Sequence, residues 1–275
     1  EQILGLTAYQ KLKYLVNNYS SKKQILINKL KKIKQLLFNK RNIILSITGS
    51  GESLKIAEYE SAKIINNISN NKFPKQSFDI PDLINNEAFI TSSEIVFAVQ
   101  GGDMMNAGIN HSGSFEVLNT WINRSFLHKR VRAEGGAYGC FSMMDPLLGF
   151  NCYVSYRDPN LESTFKAYEE IPDQVDSLQI NDKELEQLIV RTYGNFDPLL
   201  NPFSKALRGR NRAISLIPKS HFIKLNNEIK NTTVDQMRAH AEVFSNFFNN
   251  SYKTVIGNKE KIRSSEHLFD AIIEV

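Results

Sequence analysis

The chain has 275 residues, of which 41% are hydrophobic and 23% charged, with a formal net charge of +5. This composition is ordinary for a globular protein and allows a sizeable core in one large domain or two small ones. The two cysteines, Cys140 and Cys152, argue against a disulfide framework or a cysteine-based zinc site, and we expect two reduced thiols. No apolar run reaches the roughly 18 residues of a membrane span, and no signal-peptide pattern opens the chain, so we predict no membrane partner.

The chain begins with two predicted helices between Tyr9 and Phe38, where apolar residues recur at three- and four-residue steps. We expect Ser20-Ser21 to separate the two helices, with Ser21 as the N-cap of the second. Basic residues crowd the stretch from Lys22 to Arg41. A run of this kind indicates the solvated face of a docked amphipathic helix rather than a nucleic-acid patch, so we predict no nucleic-acid partner.

The next predicted elements alternate between strand and helix. Residues Asn42 to Thr48 form a short apolar run that predicts a strand, and Glu52 to Ile68 have a helical pattern. The polar stretch Ser69 to Asn86 predicts a loop. The apolar residues of Glu87 to Gln100 predict one long strand or a strand pair, and Ser114 to Arg130 predict an amphipathic helix that Ser112 or Ser114 caps.

A hairpin is predicted in the middle of the chain, with strands Ala137 to Met144 and Gly149 to Tyr156. Asp158 and Pro159 then have the residue types of an N-cap and a first helical position, and Arg157 could pair with a neighbouring acid. Further helices are expected at Pro159–Val175, Asp182–Gly194, Pro202–Leu216 and Thr233–Asn249, with a strand at Tyr252–Ile256 and a short element at Ser265–Val275. Because the central strands look antiparallel, we predict an α+β domain, a mostly antiparallel sheet with helices packed on one face.

Common catalytic motifs are absent from the sequence. The histidines fall in neither H-E-x-x-H nor H-x-x-E-H, so we predict no metal ligands in this chain. The Gly49-Ser50-Gly51 and Gly101-Gly102 turns lack the Lys-Ser/Thr of a phosphate loop, and no G-x-S-x-G elbow is present. The lone Trp121 lies on an apolar helix face, which favours a core position.

The segment R-V-R-A-E-G-G-A-Y-G, from Arg130 to Gly139, is the most distinctive part of the sequence. Gly135 and Gly136 allow positive φ and a close backbone approach. Arg132 and Tyr138 lie six residues apart across this turn, and their N–H and O–H donors could hold a carbonyl oxygen or a developing oxyanion. By local spacing alone, a glycine turn whose Arg and Tyr serve packing is the stronger alternative.

Together with the S-Y-R-D-P-N-L that starts at Ser155, this segment resembles the C-terminal half of the insulinase/pitrilysin-type zinc metallopeptidases, in particular the presequence protease and falcilysin branch. The resemblance covers most of residues 40–260. It implies a pitrilysin-type domain at residues 41–275, preceded by a leading helical segment at 1–40 that belongs to the preceding domain or a linker.

The resemblance also implies a function. Members of this branch enclose short unstructured peptides in a chamber between two homologous halves, and zinc is bound by the N-terminal half. The matching positions imply that Arg132 and Tyr138 are catalytic and that Gly135, Gly136 and Ala137 bind substrate. The expected partners are a peptide and the N-terminal zinc-binding half, the expected location is an organelle, and the chain alone is expected to be inactive.

Two other functions remain open from the sequence. The chain could be a non-catalytic subunit that binds extended peptides or a catalytic partner, like the partner subunits of mitochondrial processing peptidase. A basic nucleic-acid module that uses Lys22 to Arg41 is a weaker alternative, and it would bind with a steep salt dependence.

Overall fold

The computed structural model describes residues 5–74, 85–146 and 148–275. The chain divides into two compact units. The helical unit contains Glu1–Pro81 and Leu200–Leu216, and the sheet unit contains Asp82–Leu199 and Ile217–Val275. The predicted boundary between residues 40 and 41 concerns homologous domains rather than compact units, and it stays a prediction.

The regular elements are numbered in chain order. The α-helices of the described residues are α1 (Leu6–Asn17), α2 (Tyr19–Leu37), α3 (Gly51–Asn66), α4 (Gly113–Trp121), α5 (Glu162–Glu169), α6 (Ile171–Asp176), α7 (Asp182–Phe196), α8 (Pro202–Ile214), α9 (Lys219–Lys230), α10 (Val234–Arg238), α11 (Ala241–Asn249) and α12 (Lys259–Ser264). The strands are β1 (Glu87–Thr91), β2 (Val96–Asp103), β3 (Gly139–Asp145), β4 (Phe150–Asp158), β5 (Tyr252–Asn258) and β6 (Ala271–Glu274). A π-helical segment, Ile122–Ala133, continues α4, and a 3-10 turn lies at Glu266–Leu268. Among these helices, none combines the length and apolar content needed to cross a bilayer.

The sheet unit is built on one six-stranded sheet of order β3-β4-β2-β5-β1-β6. The pairs β3–β4, β4–β2 and β2–β5 are antiparallel, whereas β5–β1 and β1–β6 are parallel. The prediction of an α+β domain with a mostly antiparallel sheet is therefore confirmed. The strand pair at residues 87–103 is not a hairpin, because β5 lies between β1 and β2.

One face of the sheet forms the core of the sheet unit. In β4, Asn151, Tyr153 and Ser155 are buried, and the residues between them are only half-buried. This period of two is what a strand with one covered face requires. Tyr153 contacts Tyr168 of α5 and Phe248 of α11, with ring centroids 5.7 and 5.2 Å apart, so these helices pack on that face.

The helix that leads to the Arg–Gly–Tyr segment changes type along its length. In α4, Ser112 is the N-cap, and its Oγ accepts from the backbone N–H of Phe115, as predicted. Beyond Trp121, the buried residues Ile122, Leu127 and Val131 recur at steps of five and four. That spacing suits the longer period of a π-helix, whose hydrogen bonds run from residue i to i+5.

The helical unit contains α1, α2, α3 and α8. Asn39 is its buried polar residue, and its amide Nδ2 donates to Asn71 O at 2.8 Å while its Oδ1 accepts from Arg41 N at 3.0 Å. No residue of α2 is buried among the described residues, so the docking predicted for this helix stays a prediction. The exposed apolar side chains of α2 include Ile25, Leu30, Ile33 and Leu37.

Several predicted elements near the amino end are wrong in detail. Residues 43–50 lie in no strand, and Ile44 and Leu45 are exposed, because an apolar run forms a strand only where another strand offers its edge. The first two helices separate at Asn18 rather than at Ser20-Ser21. Ser21 is no N-cap, since its hydroxyl donates to Asn18 O. Part of the predicted loop, residues 75–84, lies outside the described residues.

Other corrections concern the helices after the hairpin. Asp158 is the last residue of β4, and α5 begins only at Glu162 with Leu161 as N-cap, so the predicted cap at Asp158 is wrong. The helices expected at 159–175 and 233–249 are each divided in two, and α9 was missed. Trp121 is half-buried and packs against the core.

Gly113 tests the close approach of α4 to α9. A Cβ at this position would lie 2.2 Å from Ile229 N, so Gly113→Ala must push two backbones apart. We expect a loss of about 1–3 kcal/mol in the free energy of unfolding, measured by urea denaturation. The matched control is Gly194→Ala in α7, where an added Cβ would meet no heavy atom within 4 Å apart from the adjacent backbone of its own helix, and it should be neutral or slightly stabilising. Equal stability of the two variants would contradict this packing.

His240 tests the polar network at the start of α4, where its Nε2 lies 3.0 Å from the Ser114 hydroxyl. Burial lowers the pKa of His240, so the unfolded chain, with a histidine pKa of about 6.5, takes up the proton first as the pH falls. The contribution of His240 to stability is therefore complete above that pKa and is lost as the pH falls below it. We expect the free energy of unfolding of the wild type, minus that of His240→Gln, to decrease between about pH 7 and pH 5. A stability difference between wild type and His240→Gln that does not change with pH would contradict the lowered pKa of His240.

Candidate active site

The π-helical segment ends at the glycine pair, and two backbone hydrogen bonds close it. Gly136 N donates to Arg132 O at 3.0 Å, and Ala137 N donates to Val131 O at 3.2 Å. Gly136 has φ +79°, a conformation that favours glycine. A Cβ on Gly135 would lie 2.6 Å from Val131 O, so this position also requires the missing side chain.

The two motifs that the sequence places sixteen residues apart form one structure. Tyr138 N donates to Arg157 O at 3.3 Å, and the Asn160 amide donates to Gly135 O. Asp158 fixes this junction with a fully buried carboxylate, which accepts from Asn160 N at 2.8 Å and from Thr164 Oγ1 at 2.7 Å. The carbonyl of the glycine turn is thus held by the residues that follow the hairpin.

Tyr138 projects into solvent beside an aromatic cluster, with 65% of its surface exposed. Its ring packs edge-on against Tyr156 at a centroid distance of 5.5 Å, and Tyr156 packs similarly against Phe97. The predicted pairing of Arg157 with an acid is not seen among the described residues. The Arg157 guanidinium instead lies 5.7 Å from the Tyr138 ring and 5.6 Å from the Tyr156 ring, within the range of cation–π attraction.

Arg157 also has an unusual backbone, with φ +50°. A non-glycine residue in this region is strained by about 1–3 kcal/mol, and such strain is concentrated at functional sites. The strained residue accepts the backbone hydrogen bond of Tyr138 and faces its ring, so it sets where the tyrosine stands.

Arg132 is exposed and lines a groove at the edge of β3 with a cavity volume of about 410 Å³. Because arginine has no acceptor, its Nη1 is the donor in the 3.4 Å contact with His128 Nε2. Tyr138 is not among the groove's lining residues. The structure therefore brings Arg132 and Tyr138 to the two ends of one turn, and no contact between their side chains is among the described interactions.

The predicted substrate-binding residues differ in accessibility. Gly135 is half-buried and Gly136 exposed, but Ala137 is buried in the hydrophobic core. The Ala137 side chain and N–H are therefore both engaged within the domain, and the Gly135 carbonyl is taken by Asn160. Any backbone contact with a substrate falls mainly to Gly136.

The cysteines lie on adjacent strands but do not oppose each other. Cys140 pairs with Ser155 in the β3–β4 ladder, whereas Cys152 pairs with Met143, and both thiols are free. Burial raises the pKa of Cys140 to about 12 and also raises the pKa of Cys152. Both therefore stay protonated near neutral pH, and a thiolate nucleophile is not provided here.

Among the described residues, no three His, Cys, Asp or Glu side chains are grouped so that they could hold a metal ion. The rings of His111 and His221 lie near each other, with centroids 6.1 Å apart. His111 Nε2 is already 2.6 Å from Glu116 Oε1. The zinc implied by the resemblance thus finds no ligand set in this part of the chain.

Sequence reasoning missed two sets of residues around the turn. Asp158 and Asn160 were interpreted as part of a helix start, and their real role could have been suspected only from the repeated polar residues in R-D-P-N. Arg124 and Arg191 line the groove with Arg132. No sequence pattern indicated this grouping, because α7 and the π segment are far apart in the sequence.

The fold has counterparts among solved structures. The chain is similar to a crystal structure of a peptidase M16 inactive domain from Pseudomonas fluorescens, with a TM-score of 0.53 and 13% identity over 75% of this chain and 51% of that one. A protease from Helicobacter pylori gives a TM-score of 0.53 and 14% identity, over 77% of this chain and 53% of that one. At such identities the likeness shows the fold alone, which is that of an M16-type peptidase domain.

Sequence comparison identifies the family more closely. Residues 86–259 match the model of the PreP C-terminal domain, and the chain therefore belongs to that family. Protein HypA from Clostridium perfringens is 30% identical over 100% of this chain and 28% of its own length. Presequence protease 1, chloroplastic/mitochondrial, from Arabidopsis thaliana is 25% identical over 84% of this chain and 22% of its own length.

These relatives confirm the predicted C-terminal domain of presequence-protease type. The chain spans only about a quarter of the length of these curated relatives. The roles of Arg132, Tyr138 and the glycines are tested by none of these comparisons and stay predictions.

Asn160 tests the connection between the two motifs. Asn160→Ala removes the donor to Gly135 O and leaves a half-buried carbonyl unpaired, so we expect a loss of about 1–3 kcal/mol in the free energy of unfolding. Amide hydrogen exchange at Gly136 and Ala137 should quicken at the same time. The control is Asn231→Ala, whose amide bonds only to Asn227 O at an exposed helix end, and which should change stability by about 0.5 kcal/mol at most. Unchanged exchange in Asn160→Ala would contradict the connection.

Proposed function

We propose that this domain forms the non-metal, C-terminal part of a zinc metalloendopeptidase that degrades short unstructured peptides in a closed chamber. In this proposal Arg132 and Tyr138 bind the substrate near the scissile carbonyl and stabilise the oxyanion. The supporting observation is that both side chains are exposed at one rigid glycine turn, with donors that no acid in the described part of the chain engages. Membership of the PreP C-terminal domain family gives the proposal its reaction class.

The chemistry of the two side chains fits this task. The Arg132 guanidinium is a planar fork of N–H donors. Its hydrogen-bond contact among the described residues is that of Nη1 with His128 Nε2. The Tyr138 hydroxyl has no hydrogen-bond partner among the described residues, and its ring is held by Tyr156 and Arg157. Donors that are already oriented and unpaired cost little reorganisation when charge develops on the substrate oxygen.

The metal belongs to the other half of the enzyme in this proposal, since the described residues of this chain offer no ligand set. Zinc in such enzymes polarises a carbonyl and lowers the pKa of bound water. This chain contributes substrate binding and hydrogen-bond donation from the facing wall, and closure of the two halves brings these donors to the substrate. The chain alone is therefore proposed to be inactive.

The glycine turn has a separate proposed role in binding the peptide backbone. Gly136 has no side chain and is exposed, so an extended peptide can approach its backbone closely. Gly135 and Ala137 support this position through their internal contacts, with Val131 and Asn160 as partners. We retain Gly135, Gly136 and Ala137 as the proposed substrate-binding segment, with Gly136 as the direct contact.

A second candidate function is a non-catalytic, peptide-binding or partner subunit. It is favoured by the sheet face opposite the helices, where Phe141, Met143 and Tyr252 are exposed and could receive an extended peptide. The two functions differ in one testable respect. In the catalytic proposal peptide hydrolysis depends on Arg132 and Tyr138, whereas a non-catalytic subunit would contribute neither side chain to hydrolysis. An organellar location stays a prediction, because one relative is named chloroplastic/mitochondrial and another comes from a bacterium.

The catalytic proposal predicts the kinetics of two variants in the protein that contains both halves. Arg132→Ala and Tyr138→Phe should each lower kcat for a fluorogenic peptide by about 10²–10³, the usual cost of losing one oxyanion donor. Zinc content, measured by atomic absorption, should not change.

The matched control is Arg130→Ala, since Arg130 lies on the same segment but pairs with Glu170 at 3.1 Å. It should keep kcat within about twofold of the wild type. Wild-type kcat in both Arg132→Ala and Tyr138→Phe would refute the catalytic assignment and favour the subunit.

A further inference from the structure

The groove that Arg132 lines contains three arginines. It lies between the α4–π helix, α7 and the edge strand β3, and its cavity volume is about 410 Å³. Arg124, His128 and Arg132 follow one another at four-residue steps along the π segment, and Arg191 of α7 is also in the lining. Residues spaced by about one turn share one side of a helix, so these side chains face the same space.

The positive charge of the groove is not neutralised within the described part of the chain. Arg124, Arg132 and Arg191 have no acidic partner within 4.0 Å there, although neighbouring Arg130 on the same segment is paired with Glu134 and Glu170. Glu116 is the acid in the groove lining, and its carboxylate is 2.6 Å from His111. Three exposed guanidinium groups thus line one cavity, and none of them is paired with an acid among the described residues.

The polar side chains at the floor of the groove are already satisfied. Asn123 donates from Nδ2 to Ser142 Oγ at 2.8 Å and accepts from Ser142 N at 2.7 Å, and the Ser142 hydroxyl donates to Asn119 Oδ1. These bonds cover the outward backbone N–H of edge strand β3 at Ser142 and reduce its capacity to pair with another strand. The arginines are therefore the groove's available charged donors that stay charged at every pH of interest.

We propose that this groove is a carboxylate-binding subsite for the peptide, with Arg124 and Arg191 as specificity-determining residues beside Arg132. The planar guanidinium matches a carboxylate with two parallel N–H···O bonds, and the cavity is large enough for the residue that carries it. The carboxylate is either the free C-terminus of the peptide or a Glu or Asp side chain. The inference rests on the proposed function only in taking a peptide as the ligand.

Direct binding tests the subsite without the zinc half. The 275-residue chain is titrated by calorimetry with one N-acetylated heptapeptide in three forms: C-terminal amide with an internal Gln, free C-terminal acid with the same Gln, and amide with Glu in place of Gln. We expect at least one carboxylate form to bind at least tenfold more tightly than the neutral form, and the tighter form identifies the source. Equal affinity for all three forms would overturn the proposal.

The variants separate a specific subsite from general charge. Arg124→Gln and Arg191→Gln should each weaken binding of the preferred carboxylate peptide by about fivefold or more and leave the neutral peptide unaffected. Arg130→Gln makes the same charge change on the same segment outside the groove, and it should have less than a twofold effect. Equal losses in Arg124→Gln and Arg130→Gln would overturn the proposal. Because the three arginines are exposed, unchanged thermal unfolding is expected for each variant.

The failure of this inference differs from the failure of the proposed function. Turnover that survives loss of Arg132 and Tyr138, together with a carboxylate preference in the unmodified chain, would refute catalysis and keep the subsite. Loss of turnover in those variants, with no preference among the three peptides, would refute the subsite and keep the catalytic proposal. In the enzyme, Arg124→Gln should raise KM for the carboxylate peptide and leave kcat unchanged, whereas Arg132→Ala should lower kcat.

Discussion

The rest of the site depends on the hydrogen bonds that the buried side chain of Asp158 accepts. Asp158 ends β4, accepts from Asn160 N and Thr164 Oγ1, and thereby aims the Asn160 amide at Gly135 O. A buried polar group is tolerated only when hydrogen bonds replace its hydration, and these bonds fix the chain between strand and helix. Through this junction the hairpin holds the glycine turn, and the turn places Tyr138.

The turn then separates two kinds of surface. On one side, the Tyr138 ring packs against Tyr156 and faces the strained Arg157, and its exposed hydroxyl is presented to solvent. On the other side, Arg132 opens into a basic groove with Arg124 and Arg191. A peptide that met both surfaces would have a carbonyl polarised near the turn and a carboxylate held some distance away. Such binding away from the reacting bond can assist orientation as well as affinity.

Much of the fold was predictable, because local patterns carry it. The period of two in β4 and the helical spacing of α7 identify their elements, and the sheet hairpin follows from them. The wrong prediction at residues 42–48 has the opposite cause, since an apolar run contains no information about whether another strand is available. The sheet order was likewise not readable, because β5 comes from the far end of the chain to lie between β1 and β2.

The sequence by itself determined the family and the residue types at the turn: the motif with Arg132, Gly135, Gly136 and Tyr138 needs no long-range contact to be recognised. Even the glycine requirement is local, since it comes from φ at Gly136 and from the Val131 carbonyl beside Gly135. Only the tertiary structure decided that Asp158 is a junction rather than a helix cap. It also decided that Arg191 of α7 joins Arg124 and Arg132 around one groove. Both results depend on residues that packing, not sequence spacing, brings together.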